Sequence, residues 1–132
     1  MLGNAAVYAT SRTQHCVTLS TTEAEYVALA EGAKEGMFVR SVMSFMQPNV
    51  YEITLMEDNE GAKAMAENPF SSGRIKHIDV RWHFIRELVE KKELKVVHVA
   101  SEWQHADILT KALHVKLFKR HRKALLNLPT ME

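Results

Sequence analysis

The sequence predicts an α/β fold with a parallel strand pair at its centre. Three observations lead there. Short strand-like runs alternate with longer stretches of helical period, in the order β-α-β-α-α-β-α-α, and that alternation belongs to sheets with at least one parallel pair and crossover helices. Gly32 and Gly36 lie inside an otherwise long helix. Each costs about 1 kcal/mol there, a cost that close approach of the helix to a sheet would offset. Glu25, Asp58 and Asp107 each fall where one element gives way to another.

Ala5 to Ser11, with Val7 and Tyr8, reads as a strand, and Arg12 to Leu19 as a connection. Ser20 starts the long helix: Ser20 with Glu23 three residues on is a capping box, which leaves Glu25 without a capping duty. Ala28, Leu29, Gly32, Gly36, Val39, Met43 and Met46 follow at helical spacing, and Glu25 lies one turn before Ala28 and Leu29 on the same stripe. Pro48 and Asn49 break the helix. Tyr51 to Met56 is a strand, Ile53 and Leu55 alternating with Glu52 and Thr54. Asp58 falls at its carboxyl end, where open α/β sheets bind ligands.

Asn59 is an N-cap for a short helix ending at Asn68-Pro69. Ser71 to Arg74 reads as a loop. Ile78, Trp82, Ile85, Leu88 and Val89 then line one face of an amphipathic helix. Leu94 to Val99 is a strand, followed by a second capping box, Ser101 with Gln104, that sets Asp107 early in the next helix. A last helix carries Val115, Phe118, Leu125 and Leu126.

With 132 residues the chain suits one domain. Hydrophobic residues make up 46% and charged residues 25%, both ordinary for a globular protein. A net charge of +1 does not by itself mark a nucleic-acid binder. The distribution says more: Lys111, Lys116, Lys119, Arg120, Arg122 and Lys123 face only Glu132 in the last segment. Cys16 is the sole cysteine, which excludes a disulfide framework and argues against a Cys-based zinc site. The N-terminus lacks the charged flank and apolar core of a signal peptide, and no apolar run is long enough to span a bilayer. The expectation is a soluble intracellular protein, cytoplasmic or nuclear and not secreted, with no membrane partner.

Carboxylates at strand ends and helix starts can converge on one cleft, and converging carboxylates hold Mg²⁺. Two-metal nucleases need such a set, with the ions roughly 3.5–4 Å apart. A solvated surface carboxylate is the alternative reading of each residue. No Asp or Glu occurs before Glu23, so a carboxylate from an earlier strand is lacking. Arg74, Lys76 and Arg81 suit a phosphate backbone or simply a solvated helix face. Lys119-Arg120-His121-Arg122-Lys123 suits nucleic acid or a nuclear address, or complements the dipole of a terminal helix. Trp82 reads as core. Trp103, beside Asp107, either packs or stacks on a base or sugar.

Leu19-Ser20-Thr21-Thr22-Glu23-Ala24-Glu25-Tyr26-Val27-Ala28-Leu29 resembles the helix that opens the second half of the ribonuclease H domain in copia-type retrotransposon polyproteins. Glu57-Asp58-Asn59, Lys76-His77-Ile78-Asp79-Val80-Arg81, His83-Phe84-Ile85-Arg86-Glu87 and Ala106-Asp107-Ile108-Leu109-Thr110-Lys111 look like later words of that domain, in the same order. The resemblance runs roughly from Ala5 to Leu126. It implies a ribonuclease H-like fold that cuts the RNA strand of an RNA–DNA hybrid with two Mg²⁺ ions. Glu25, Asp58 and Asp107 match three of the family's four metal-binding carboxylates. The fourth, an Asp on the family's first strand, has no counterpart here, and Ala5 to Ser11 looks like the third strand. Glu57 stands where the family often has Cys, Glu60 where it often has Gln, and Ala112 where it often has Pro.

The expectation is therefore that residues 1–132 form one partial ribonuclease H-like domain, an incomplete fold of three strands with flanking helices and a central parallel pair. At most one Mg²⁺ is held, weakly, and the isolated chain has little or no nuclease activity. The alternative is a non-catalytic retroelement remnant that binds nucleic acid or a protein. A strand at 5–11 that lacks its neighbour leaves an open edge, which invites self-association.

Overall fold

The computed structural model describes residues 1, 5–14, 17–18, 20–48, 52–68 and 79–129, apart from the side chains of Asp79, Val80 and Trp82. The loop expected at Ser71–Arg74, and the expected core positions of Ile78 and Trp82, lie outside this description. The chain divides into two compact units, Thr18–Val99 and the pair of segments Met1–Val17 and Ala100–Glu132.

In the unit Thr18–Val99, α1 (Thr21–Met46) is followed by β1 (Ile53–Glu57), α2 (Glu60–Glu67), α3 (Asp79–Glu90) and β2 (Leu94–His98). The strands pair in parallel, with Ile53 opposite Leu94, Leu55 opposite Val96 and Glu57 opposite His98. The expected parallel pair is thus present. Both expected N-caps are also in place: the Glu23 N–H donates to Ser20 Oγ at 3.1 Å, and the Ala62 N–H to Asn59 Oδ1 at 3.0 Å. All three helices pack on the strands, and Tyr26, Leu29, Ala30, Ala33, Ala62, Ile85, Leu88, Leu94 and Val96 form the core between them.

Gly36 makes the close approach expected of it, since a Cβ there would lie 3.0 Å from Ile53 Cγ2. Gly61, which sequence reasoning passed over, does the same for α2: its Cβ would sit 2.9 Å from Thr22 Cγ2 at the head of α1. The turn from α3 to β2 closes with Lys92 in the left-handed region (φ 55°), Lys92 N–H donating to Val89 O and Glu93 N–H to Leu88 O. These two bonds satisfy carbonyls that a helix end would otherwise orphan. Arg40 on α1 reaches Glu93 at 2.9 Å and ties the long helix to that turn.

The buried face of α1 overlaps the predicted stripe at Leu29, with Gly32 and Gly36 set against Leu55 and Ile53, but its centre lies to one side of that stripe. Tyr26, Leu29, Ala30 and Ala33 are buried, whereas Ala28 and Met46 are exposed. Small residues at 30 and 33 let the helix lie close to its neighbours, and this shifts the packed face by about one residue, or about 100°. The last turns of α1 leave Phe38, Val42, Phe45 and Met46 in solvent, Phe45 at 94% exposure.

The other unit contains α4 (Val115–Leu126) and two short 3₁₀ turns, Ser101–Trp103 and His105–Leu109. The expected helix at Ser101 does not form. Gln104 adopts an extended conformation (φ −74°, ψ 96°) between the turns, splitting the segment into pieces too short for α-helix and suited to i→i+3 bonding. Trp103, Gln104, Asp107 and Thr110 donate their N–H groups three residues back. The expected strand at Ala5–Ser11 does not form either. Ala5 is a single bridge residue, the Ala6 N–H donates to Leu125 O at 2.9 Å, and Val7 and Tyr8 are exposed. A strand needs a ladder as well as β-prone residues, and among the described residues the sheet has two strands, not three. No helix among the described residues is long and apolar enough to cross a membrane.

Candidate carboxylate site

Parallel pairing decides where the acidic residues of Thr18–Val99 lie. Along β1 the side chains alternate, with Ile53 and Leu55 turned towards the core, and two residues beyond Leu55 is Glu57. Its side chain is only 4% exposed. One carboxylate oxygen, Oε1, accepts the Asn59 N–H at 2.9 Å. By sequence, Glu57 was noted only as a departure from the family's usual Cys, although the alternation of Ile53, Leu55 and Glu57 already marks it as inward-facing.

Burial pushes the Glu57 carboxyl up from 4.5 to about 7, and the charges of Glu25 and Asp58 add to the rise, while the Asn59 and Asp58 N–H groups oppose it. Glu25 lies in the second turn of α1, partly buried and next to the fully buried Tyr26. Asp58 follows the last residue of β1 and precedes the cap of α2. The charges of Glu25 and Asp58 therefore act on one buried carboxyl at the carboxyl end of β1.

Asp107 belongs to the other unit and lies in the second 3₁₀ turn. Its side chain is 14% exposed and pairs with Lys111 at 2.9 Å. Its backbone carbonyl accepts the N–H groups of Thr110 and Lys111. Among the described residues, no group of three or more His, Cys, Asp or Glu side chains is placed to hold a metal ion. The fit of Mg²⁺ to Thr18–Val99 thus rests on electrostatics. Burial is the main reason the Glu57 proton is held, and the charges of Glu25 and Asp58, the lesser contribution, are the part that would also attract a cation. Mg²⁺ needs only one or two carboxylates when it retains its waters.

Of the cations expected to meet phosphate, Arg74 and Lys76 lie outside the described residues. Arg81 turns inward on α3: its buried Nε has no hydrogen-bond partner and stands 3.9 Å from Glu31 Oε1 on α1. Lys119 and Arg122 are exposed on α4. The Arg120 guanidinium stacks over the Trp103 ring, 4.3 Å from its centroid, and pairs with Glu102 at 3.6 Å. Beside this stack, His105 Nδ1 and His121 Nδ1 approach to 2.9 Å with their rings nearly perpendicular. His121 is 1% exposed. Burial, and secondarily His121, hold His105 below its ordinary range. Sixteen residues separate this pair, and no local spacing signals it.

With this geometry in place, the chain proves homologous to a short stretch of retrovirus-related Pol polyproteins from plant transposons. It is 39% identical over 103 residues to the Pol polyprotein from transposon TNT 1-94 of Nicotiana tabacum, covering 78% of this chain and 8% of that protein. The Arabidopsis thaliana polyproteins from transposons RE1 and RE2 are 35% identical over 119 residues and 34% identical over 125 residues. Those matches cover 89% and 94% of this chain and 8% and 9% of the relatives. The chain thus spans less than a tenth of the length of these relatives. No protein-family model and no solved structure matches the chain.

Proposed function

We propose that this chain is a ribonuclease H-like segment of a copia-type retroelement polyprotein, with Glu25, Asp58 and Asp107 as its Mg²⁺ ligands and the RNA strand of an RNA–DNA hybrid as the substrate of the parent activity. The observation that carries the reading is the charge of Glu25 and Asp58 acting on Glu57 at the carboxyl end of a parallel strand, the end where α/β sheets bind ligands. Homology to Pol polyproteins supports the retroelement source. Bound Mg²⁺ would activate water and offset charge on the leaving oxygen.

The residues of the chain set the limits of that activity. Glu25 and Asp58 would hold the cation, and Glu57, whose carboxyl burial pushes up to about 7, holds its proton more readily than an ordinary carboxyl beside them. Lys111 must release Asp107 before that carboxylate can serve as a ligand. Two close divalent cations repel, and the bridging carboxylate that would relieve this does not occur before Glu23. It has to come from outside these 132 residues. The chain alone is therefore expected to bind Mg²⁺ or Mn²⁺ weakly and to leave a hybrid uncut. Calorimetric titration with Mn²⁺ tests the site: Glu25→Gln, Asp58→Asn and Asp107→Asn should each weaken binding, and an unchanged isotherm for all three removes the proposal. Incubation with a labelled RNA–DNA hybrid tests activity, and cleavage lost in Asp58→Asn would show that the chain builds a working site unaided.

A non-catalytic nucleic-acid-binding role is the second reading, favoured by the Arg120–Trp103 stack. Self-association is a separate expectation for which the two-stranded sheet, with its outer edges, gives a route. Light scattering across a concentration series checks it.

A further inference from the structure

We infer that the Trp103–Arg120 stack and the cationic face of α4 form a binding surface for single-stranded nucleic acid, with a base on the indole and the strand's phosphates on the lysines. Lys116, Lys119, Arg120 and Lys123 stand at i, i+3, i+4 and i+7 along α4, so their side chains share one helix face, with neighbours about 5–6 Å apart. Lys116, Lys119 and Lys123 are exposed. Arg120 stands in the same row and carries it onto the aromatic ring, 4.3 Å from the Trp103 centroid. Trp103 keeps 48% of its surface in solvent. Glu102 holds the guanidinium from the side, through its carboxylate at 3.6 Å and its carbonyl at 3.4 Å. The side chain is thereby held over the ring before any ligand arrives.

An exposed indole is costly to leave in water, and Trp103 keeps about half of its surface there while Arg120 lies over its ring. Aromatic rings beside a positively charged track are how proteins hold single strands without sequence preference, since every base has a π-face. A paired base offers no free face, so the platform favours single strands over duplex. The acidic residues of the described surface here are Glu102 and Asp107, both already ion-paired to cations of this unit. Lys116 and Lys119 are left to attract a polyanion. The inference extends the nucleic-acid reading of the chain but needs no metal. It is therefore tested in EDTA, where failure of the carboxylate site has no bearing on the result.

The experiment uses the full chain and measures anisotropy of a labelled oligothymidylate at several salt concentrations. Trp103→Ala should weaken binding about tenfold or more, the usual effect of removing a base-stacking ring, and Trp103→Phe should restore most of it. A strand of the same length made of abasic deoxyribose phosphates should bind the parent chain as poorly as oligothymidylate binds Trp103→Ala. Lys116→Gln with Lys119→Gln should lower the slope of log affinity against log salt by about 1.4, at roughly 0.7 per phosphate contact. Circular dichroism confirms that α4 is retained, and the Phe variant and the abasic strand keep the test valid if the Ala variant unfolds. Equal affinity for the abasic strand, or for Trp103→Phe and Trp103→Ala alike, overturns the stack. Exposed Val115, Phe118 and Leu126 lie on the neighbouring arc of α4, so phosphatidylserine vesicles are the competing anion. Vesicle binding as tight as that of the oligonucleotide overturns the choice of partner.

Discussion

The two compact units of the chain hold themselves together in opposite ways. Thr18–Val99 buries an apolar core on a parallel strand pair, and its buried charged residue is an acid, Glu57. In the other unit the one buried residue among those described is His121, engaged by His105. Their charges are opposed as well: Thr18–Val99 carries thirteen acidic residues against ten Lys and Arg, and the other unit seven Lys and Arg against three acidic residues. The near-zero net charge of the chain is the sum of an acidic unit and a basic one. A cation site is to be looked for in the first and an anion surface in the second.

The contrast in cores predicts the largest effect. Ile85 is fully buried on α3, and Ile85→Ala should destabilise Thr18–Val99 by about 2–5 kcal/mol, the range for such core truncations. Urea unfolding followed by circular dichroism measures this. A loss below about 1 kcal/mol would mean that this unit is no better packed than its neighbour.

Next is Glu57. Its carboxyl rises from 4.5 to about 7 on folding, so between those pH values the folded chain binds more protons than the unfolded chain. Stability therefore falls as pH rises from 4.5 to 7, and the cost levels off above 7. A shift of this size corresponds to about 3 kcal/mol at most. Glu57→Gln keeps an oxygen to accept the Asn59 N–H, and in EDTA it should raise stability at pH 8 while leaving stability at pH 4 nearly unchanged. Parallel pH profiles for the two chains would remove Glu57 as the source.

These residues also show what was legible in the sequence. Ile53 and Leu55 alternate cleanly and pack against helices, so the parallel pair could be read. The Ser20 and Asn59 caps could be read because capping is local chemistry. Gly36 could be read because a glycine inside a helix implies close approach. Ala5–Ser11 was misleading because its composition suits a strand but a strand also needs a partner. Ser101 and Gln104 match the capping-box spacing, yet the extended Gln104 ends the turn before a helix can follow. At the candidate site, the places of Glu25 and Asp58 at element ends were visible in sequence. So was the i,i+4 pairing of Asp107 with Lys111, though it was not used. The His105–His121 and Trp103–Arg120 contacts depend on how α4 folds back on the 3₁₀ turns, which no local pattern encodes.

The histidine pair should give the basic unit a pH response opposite in sign to that of Glu57. Burial, and then His121, hold His105 below its ordinary 6.5. The unfolded chain therefore takes up protons more readily as pH falls through about 6.5, and the stability that neutral His105 contributes is full above that point and declines below it. Proton NMR titration of the histidine ring signals should place His105 below 6.5, and His105→Gln should flatten the acid limb of the α4 melting profile. A ring titrating at or above 6.5 would remove the pair from the account.

The smallest effect compares one motif present in both units. The helices α3 and α4 end alike, with Lys92 and Asn127 in the left-handed region at φ 55° and 48°. The following N–H groups close back on Leu88 and Lys123. A left-handed backbone costs an ordinary L-residue roughly 1–2 kcal/mol, and Asn less because its short polar side chain tolerates the conformation. Glycine removes the strain but enlarges the freedom of the unfolded chain, which returns about 0.4–1 kcal/mol of the gain. Lys92→Gly should therefore stabilise Thr18–Val99 by up to about 1 kcal/mol, and Asn127→Gly should change the other unit by less than about 0.5 kcal/mol. Both are read from urea midpoints at pH 7. Equal gains at the two caps would show that the lysine is no more strained than the asparagine, and a loss at Lys92 would mean that its side chain makes contacts worth more than the backbone strain it carries.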